Sequence, residues 1–162
     1  MTTSGAGAFT TGVAVGTKDH SIFMALRWTG IFFGSRQWIL RLGHGGGAEH
    51  WLWNGGDSVQ VGEWGGGVVG QIKSAPMTDI DSTKTTVLAT VVKGGVYKMY
   101  IDGVLVAGQA ATTLTISDDA QLVVWPNYNA PIHETNLYME TFPAEEVMRM
   151  SRALQAKYPV AP

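Results

Sequence analysis

Two carboxylates in one short segment are the first candidates for chemistry. Glu134 and Glu140 lie in the stretch Glu134-Thr-Asn136-Leu-Tyr-Met-Glu140, and a pair of carboxyl groups flanking a glycosidic bond is the machinery of glycoside hydrolysis. Retaining hydrolysis needs the two groups ~5–5.5 Å apart, and inverting hydrolysis ~6.5–9.5 Å. Six residues of extended strand at ~3.3 Å each separate this pair by about 20 Å. The two cannot flank one bond, so the sequence reads as non-catalytic, with polar positions at a strand end and ahead of a helix. The histidines are His20, His44, His50 and His133, none of them in an HExxH pattern. His44 and His50 flank Gly-Gly-Gly-Ala-Glu49, so a divalent site with Glu49 stands beside the plainer reading of loop histidines. Asp79-Ile-Asp81 and Asp118-Asp119 carry loop carboxylates of the kind that ligate calcium, beside their ordinary use in turns. No metal or other cofactor is expected. No GxSxG elbow, no GxxxxGK[ST] and no GxGxxG opening a helix occurs.

The six tryptophans carry more information. Trp28 and Trp38 lie in apolar stretches and read as core. Trp51 and Trp53 share parity, so a strand would direct both to one face. Trp64 follows in the same glycine-rich region, and Trp125 precedes Pro126-Asn127-Tyr128-Asn129. Sugars are held by aromatic faces against their C–H surfaces, with amide and carboxyl side chains on the hydroxyls. Trp51, Trp53, Trp64, Trp125, Asn127 and Tyr128 are therefore the glycan- or partner-binding candidates. Large aromatics equally fill cores and interface centres. Gly43–Gly70 is poor in charge and costly in entropy to order, which favours packing of this region against another subunit or a particle surface.

The elements that must position these groups are mostly strands. The chain has 162 residues, 45% of them hydrophobic, enough for a single domain over 1–162 with residues 1–8 as a mobile tail or arm. Charged residues are 15% and the net charge is −2, which excludes an electrostatic nucleic-acid binder. With no cysteine there is no disulfide framework and no thiolate metal site. No apolar run reaches the ~18–20 residues of a membrane span, so no membrane partner is expected. Strands are expected at Phe9–Val15, Ser21–Trp28, Trp38–Leu42, His50–Trp53, Gln60–Val61 and Val68–Ile72. Residues 74–84 read as loop. Val87–Lys93, Val96–Ile101 and Val104–Val106 are joined by Gly94-Gly95 and Asp102-Gly103, two-residue turns of the primed hairpin type. Leu114–Ile116, Gln121–Trp125 and His133–Met139 supply three more strands. A helix is predicted over Pro143–Lys157, with Glu145 and Glu146 at its positive end. Val147, Met150, Leu154 and Tyr158 form one apolar stripe for packing on the sheets. The fold class is all-β, an antiparallel sandwich with one C-terminal helix.

Three ordered stretches carry a resemblance. "TVLATVVKGGVYKMYIDGVLVAG" resembles the strand–turn–strand unit of the concanavalin A-like jelly rolls, in particular the laminin G-like group. "LVVWPNYNAPIHETNLYME" is similar to the next two strands, and "FPAEEVMRMSRALQAKYP" to the terminal helix. The likeness runs over Thr86–Tyr158; "HSIFMALRW" and "WILRLGHGG" fit the early strands more loosely. His133 replaces the group's usual Asp and Asn136 its usual Arg. Some glycosidases of the superfamily carry Glu-x-Asp-x-Glu, and Asn136 stands at the Asp position. The resemblance implies a jelly roll, a fold that serves lectins, glycosidases, adhesion modules and virion proteins; some laminin G-like relatives bind calcium.

The functional expectation combines these readings. The N-terminal segment has neither the basic nor the apolar region of a signal peptide. A jelly roll made in a cytoplasm without a leader implies a structural, non-catalytic component of a bacteriophage virion, either a capsid decoration protein or a head or tail fibre subunit. Its partners would be a virion protein surface or its own copies in a homo-oligomer. The alternative is a carbohydrate-binding, lectin-like module.

Overall fold

Residues 9–11, 19–27, 37–43, 49–54, 58–65, 68–69, 73–76, 83–94, 96–110, 121–124 and 131–160 are described in the computed structural model. In chain order they form β1 (Phe9–Thr11), β2 (His20–Arg27), β3 (Gln37–Gly43), β4 (Glu49–Asn54), β5 (Ser58–Gly65) and β6 (Val68–Val69). Then come β7 (Lys73–Pro76), β8 (Thr85–Lys93), β9 (Val96–Ile101), β10 (Val104–Ala110), β11 (Gln121–Val124), β12 (Ile132–Tyr138) and the helix α1 (Ala144–Lys157). The strands make two antiparallel sheets. One runs β1-β11-β3-β4-β5-β6, with β7 also on β5; the other runs β10-β9-β8-β2-β12. Strands distant in sequence are neighbours in space, as β2 between β8 and β12 shows. This is the jelly-roll sandwich with one C-terminal helix that the sequence implied.

The core lies between the sheets. Met24 and Leu26 of β2, Leu88 of β8 and Met99 of β9 meet Ile39, Leu40 and Leu42 of β3, with Val59 and Leu122 alongside. Ile39 and Leu40 are adjacent yet both buried. The β3–β4 register shifts between Trp38 and Leu40; a bulge there breaks strict alternation and lets neighbours share an interior.

A second apolar layer covers the outer face of the five-stranded sheet. Phe23, Ala25, Val87, Ala89, Val91 and Tyr100 pack against Val147 and Leu154 of α1, with Tyr138, Phe142, Met150 and Tyr158 at the margin. The predicted helical stripe is the face that docks. Strands β2 and β8 are thus buried on both sides, which is why they read as continuous apolar runs rather than as alternation. No helix among the described residues is long and apolar enough to cross a membrane.

The β9–β10 turn has the expected primed geometry, with Asp102 at φ 53° and Gly103 at φ 83°. Asp102 also joins β8: its backbone N–H donates to the Val87 carbonyl and its Oδ1 accepts from the Val87 N–H, both at 2.8 Å. Gly103 lies under the helix, where a Cβ would stand 2.6 Å from Met148 Cα.

Several boundaries differ from expectation. Residues 74–84 are not all loop, because Lys73–Pro76 forms β7 against Ser58–Val61 of β5. An edge position needs hydrogen bonds on one side only, so it tolerates Pro76. Gln60–Val61 belongs to an eight-residue strand; its ladder with β4 carries Gly62 and its ladder with β6 carries Gly65, which alone read as turn residues. Val104–Val106 continues to Ala110 past a register shift between Leu105 and Ala107. Leu114–Ile116, residues 1–8, Trp28 and the ends of Phe9–Val15 and Val68–Ile72 lie outside the described residues.

Candidate functional site

The carboxylate that sequence analysis weighed for catalysis is held in a structural latch. Glu134 sits on β12 opposite Ala25, on the helix side of the sheet. Its Oε2 accepts from Lys157 Nζ at 2.5 Å and from the Tyr158 hydroxyl at 2.6 Å. Its Oε1 accepts from Asn136 Nδ2 at 2.9 Å. The bond from Lys157, then those from Tyr158 and Asn136, pull the Glu134 carboxyl down to about 2. His133 stacks on the Tyr158 ring at 5.0 Å, and Lys157 lies over the same ring. Together these contacts fasten the end of α1 to an edge strand. Glu140 is exposed beyond β12, where its backbone carbonyl accepts from the Ser21 hydroxyl at 2.8 Å. Nothing in this arrangement brings the two carboxylates together.

The aromatic candidates fall on the seven-stranded sheet or outside the described residues. Trp51 stands opposite Arg41 on one side and Gly62 on the other; Trp53 stands opposite Trp38 and Gln60; Trp64 stands opposite Glu49. Trp51 and Trp53 alternate in the ladder with His50 and Leu52, the partners of the buried Leu42 and Leu40. β4 and β5 thus bring three of the sequence candidates onto adjacent strands. Trp125, Asn127 and Tyr128 lie outside the described residues. So do His44 and the acidic positions Asp79, Asp81, Asp118 and Asp119. Among the described residues no three His, Asp or Glu side chains gather as a metal site.

A feature that sequence reasoning missed lies on the opposite sheet. Helix α1 is shorter than the sheet it covers. Ahead of its first turn a half-open notch of about 400 Å³ remains, with Val91 and Lys93 of β8 and Val96, Lys98 and Tyr100 of β9 along its floor. Thr141, Phe142, Pro143 and Ala144 form its wall. The register explains the floor: Lys93 faces Val96, Val91 faces Lys98 and Ala89 faces Tyr100 across the β8–β9 ladder. The parity of Val96, Lys98 and Tyr100 was legible in the sequence. The stopping point of the helix above them was not.

The chain matches no protein-family profile and no curated protein. Solved structures share its fold. The binding domain of botulinum neurotoxin DC in complex with SialylT superimposes with a TM-score of 0.67 at 12% identity, over 86% of this chain and 36% of that one. The CBM40 of the Ruminococcus gnavus IT-sialidase, bound to α2,3-sialyllactose, gives 0.62 at 13% identity over 83% of each chain. The heptameric SAP-like pentraxin of Limulus polyphemus gives 0.62 at 10% identity, over 84% of this chain and 70% of that one. This chain therefore spans little more than a third of the toxin binding-domain chain. The fold is that of the lectin-like jelly rolls.

Proposed function

We propose that this chain is a non-catalytic carbohydrate-binding module of the lectin type. One observation carries the reading: more than four-fifths of the chain shares its fold with domains solved with sialylated ligands. The β4–β5 ladder supports it by placing Trp51, Trp53 and Trp64 on adjacent strands. Flat indole faces against sugar C–H surfaces would supply affinity, and Trp125, Asn127 and Tyr128 would supply further contacts. Glu134 belongs to the latch, so hydrolysis is not part of the proposal.

The test is a glycan array followed by titration calorimetry on Trp51→Ala, Trp53→Ala and Trp64→Ala, with folding checked by circular dichroism. At least one folded variant should weaken the best glycan by about tenfold or more, since a buried aromatic anchor is typically worth ~2 kcal/mol or more. Full affinity in all three folded variants would overturn this placement of the site. An array without a single bound glycan, together with a tryptophan-dependent oligomer, would favour the virion-subunit reading over this one.

A further inference from the structure

We propose that the notch ahead of helix α1 is a second ligand site, one that takes a ring-sized organic carboxylate such as a sugar acid. The proposal is independent of the tryptophan site, since the notch lies on the other sheet.

Tyr100 is the observation that points to a ligand. Its side chain is 98% removed from solvent, with 2% relative exposure, yet it lines the notch. Its hydroxyl has no hydrogen-bond partner among the described residues. The ring is buried, but the hydroxyl is not among the fully buried unpaired atoms of the described residues, so it reaches the notch, where an entering acceptor takes its hydrogen bond in place of water. Burial pushes the Tyr100 hydroxyl above its ordinary value, so it stays a donor throughout the physiological range.

The surrounding charge selects an anion. Lys93 and Lys98 are exposed on the floor, and neither has a carboxylate partner among the described residues. The helix wall adds donors. Pro143 caps α1 without a side-chain bond. The N–H groups of Glu146 and Val147 both donate to the Pro143 carbonyl at 3.0 Å, which leaves those of Ala144 and Glu145 unpaired in the helix. Free N–H groups and the positive helix end favour an anionic oxygen. The acidic groups nearby in the chain or in contact are accounted for. Asp19 accepts from the Gly94 N–H at 2.8 Å, Glu146 is paired with Arg149, and Glu140 and Glu145 are exposed, where water and salt screen them.

The rest of the notch selects a compact, partly apolar body. Val91, Val96, Phe142 and Pro143 give it hydrophobic surface. Phe142 is fixed edge-on against Phe23 and Tyr138, with ring centroids 5.9 and 5.1 Å away, so it cannot swing in to fill the space. The volume falls within the ~300–1,000 Å³ range of small-molecule pockets. A carboxylate between the two ammonium groups and the phenol, with its ring on Phe142 and Val96, uses every group named.

Methyl β-glucuronide and its neutral counterpart methyl β-glucoside are the probes, followed by NMR on protein with ring-labelled tyrosine. The glucuronide should bind at least about tenfold more tightly and shift the Tyr100 ring signal. Lys93→Gln with Lys98→Gln should remove that preference. Tyr100→Phe, which keeps the packed ring, should weaken binding severalfold, as expected for loss of a bond to a charged acceptor. Both probes are sugars that the tryptophan site would also accept, so the Tyr100 ring shift, rather than total affinity, reports this site and separates its failure from failure of that one. Equal binding of the two probes, or full affinity in the double lysine variant, overturns the proposal. Sulfate that competes with the glucuronide at equal affinity overturns the ring-binding half of it. An oligosaccharide ending in glucuronate should bind as the methyl glycoside does if the source is a chain terminus, and not at all if only free acids fit.

Discussion

Single residues in this chain matter most where two elements approach closely. Gly103 is the clearest case. Its φ of 83° disfavours any side chain, and its Cβ site is occupied by Met148 backbone. Relaxing the turn would not make room, because the obstruction is the helix main chain rather than a mobile side-chain tip. Gly103→Ala should therefore destabilise the fold by ~2–3 kcal/mol, combining left-handed strain with overlap. Gly94 is the control: it too has a positive φ, of 54°, but nothing stands within 4 Å of its Cβ site. Gly94→Ala should cost clearly less in urea denaturation, and equal losses at the two sites would refute the packing argument. The Asp-Gly turn was legible because two adjacent residues encode it. The contact with Met148, 45 residues away, was not.

Between elements, the latch joining α1 to β12 gives the fold a defined acid response. Glu134 is held at about 2 in the folded state, against ~4.3 for a free glutamate. Its folded value is depressed, so the stabilisation is fully present above the free value. It declines as pH falls from there and is gone below the folded value. The stability gap between the wild type and Glu134→Gln should be constant from pH 7 to 5. It should close between roughly pH 4.3 and 2, as followed by urea midpoints. A gap that widens on acidification would mean that the ion pair with Lys157 does not form. The distance to Glu140 along the strand and the Asn136 at the glycosidase motif's Asp position both speak against catalysis by Glu134, but neither says what holds it. Two of its three partners lie 23 and 24 residues further along, beyond any local pattern.

At the scale of the whole molecule, the described residues show two strands of one sheet covered on both faces. β2 and β8 are covered by the facing sheet on one side and by α1 on the other. Their amides should exchange only through global unfolding. Hydrogen exchange read by NMR should find the slowest amides at Phe23, Met24, Ala25, Leu88 and Ala89, with β10 and β12 faster as the edge strands of that sheet. Slower exchange in β3 than in β2 would place the stable core in the wrong sheet. The same layering keeps the two proposed ligand regions apart, with the tryptophan-bearing ladder on the seven-stranded sheet and the notch beside α1 on the other.

The sequence by itself determined an antiparallel β protein, its two tight hairpins, its terminal helix and the face of that helix that packs. Each of these depends on turn chemistry or on a period of a few residues, information carried within one local stretch. Tertiary structure decided the strand order, the pairing of Lys73–Pro76 with β5, the partners of Glu134 and the notch over Tyr100. These depend on where distant segments come to lie. A run such as Ser21–Leu26 announces burial on both faces but not what covers each one. The notch exists because α1 ends its cover short of Lys93 and Lys98, a relation between a helix start and a sheet row about fifty residues apart. No local pattern encodes such a relation, because it follows from packing the whole chain at once.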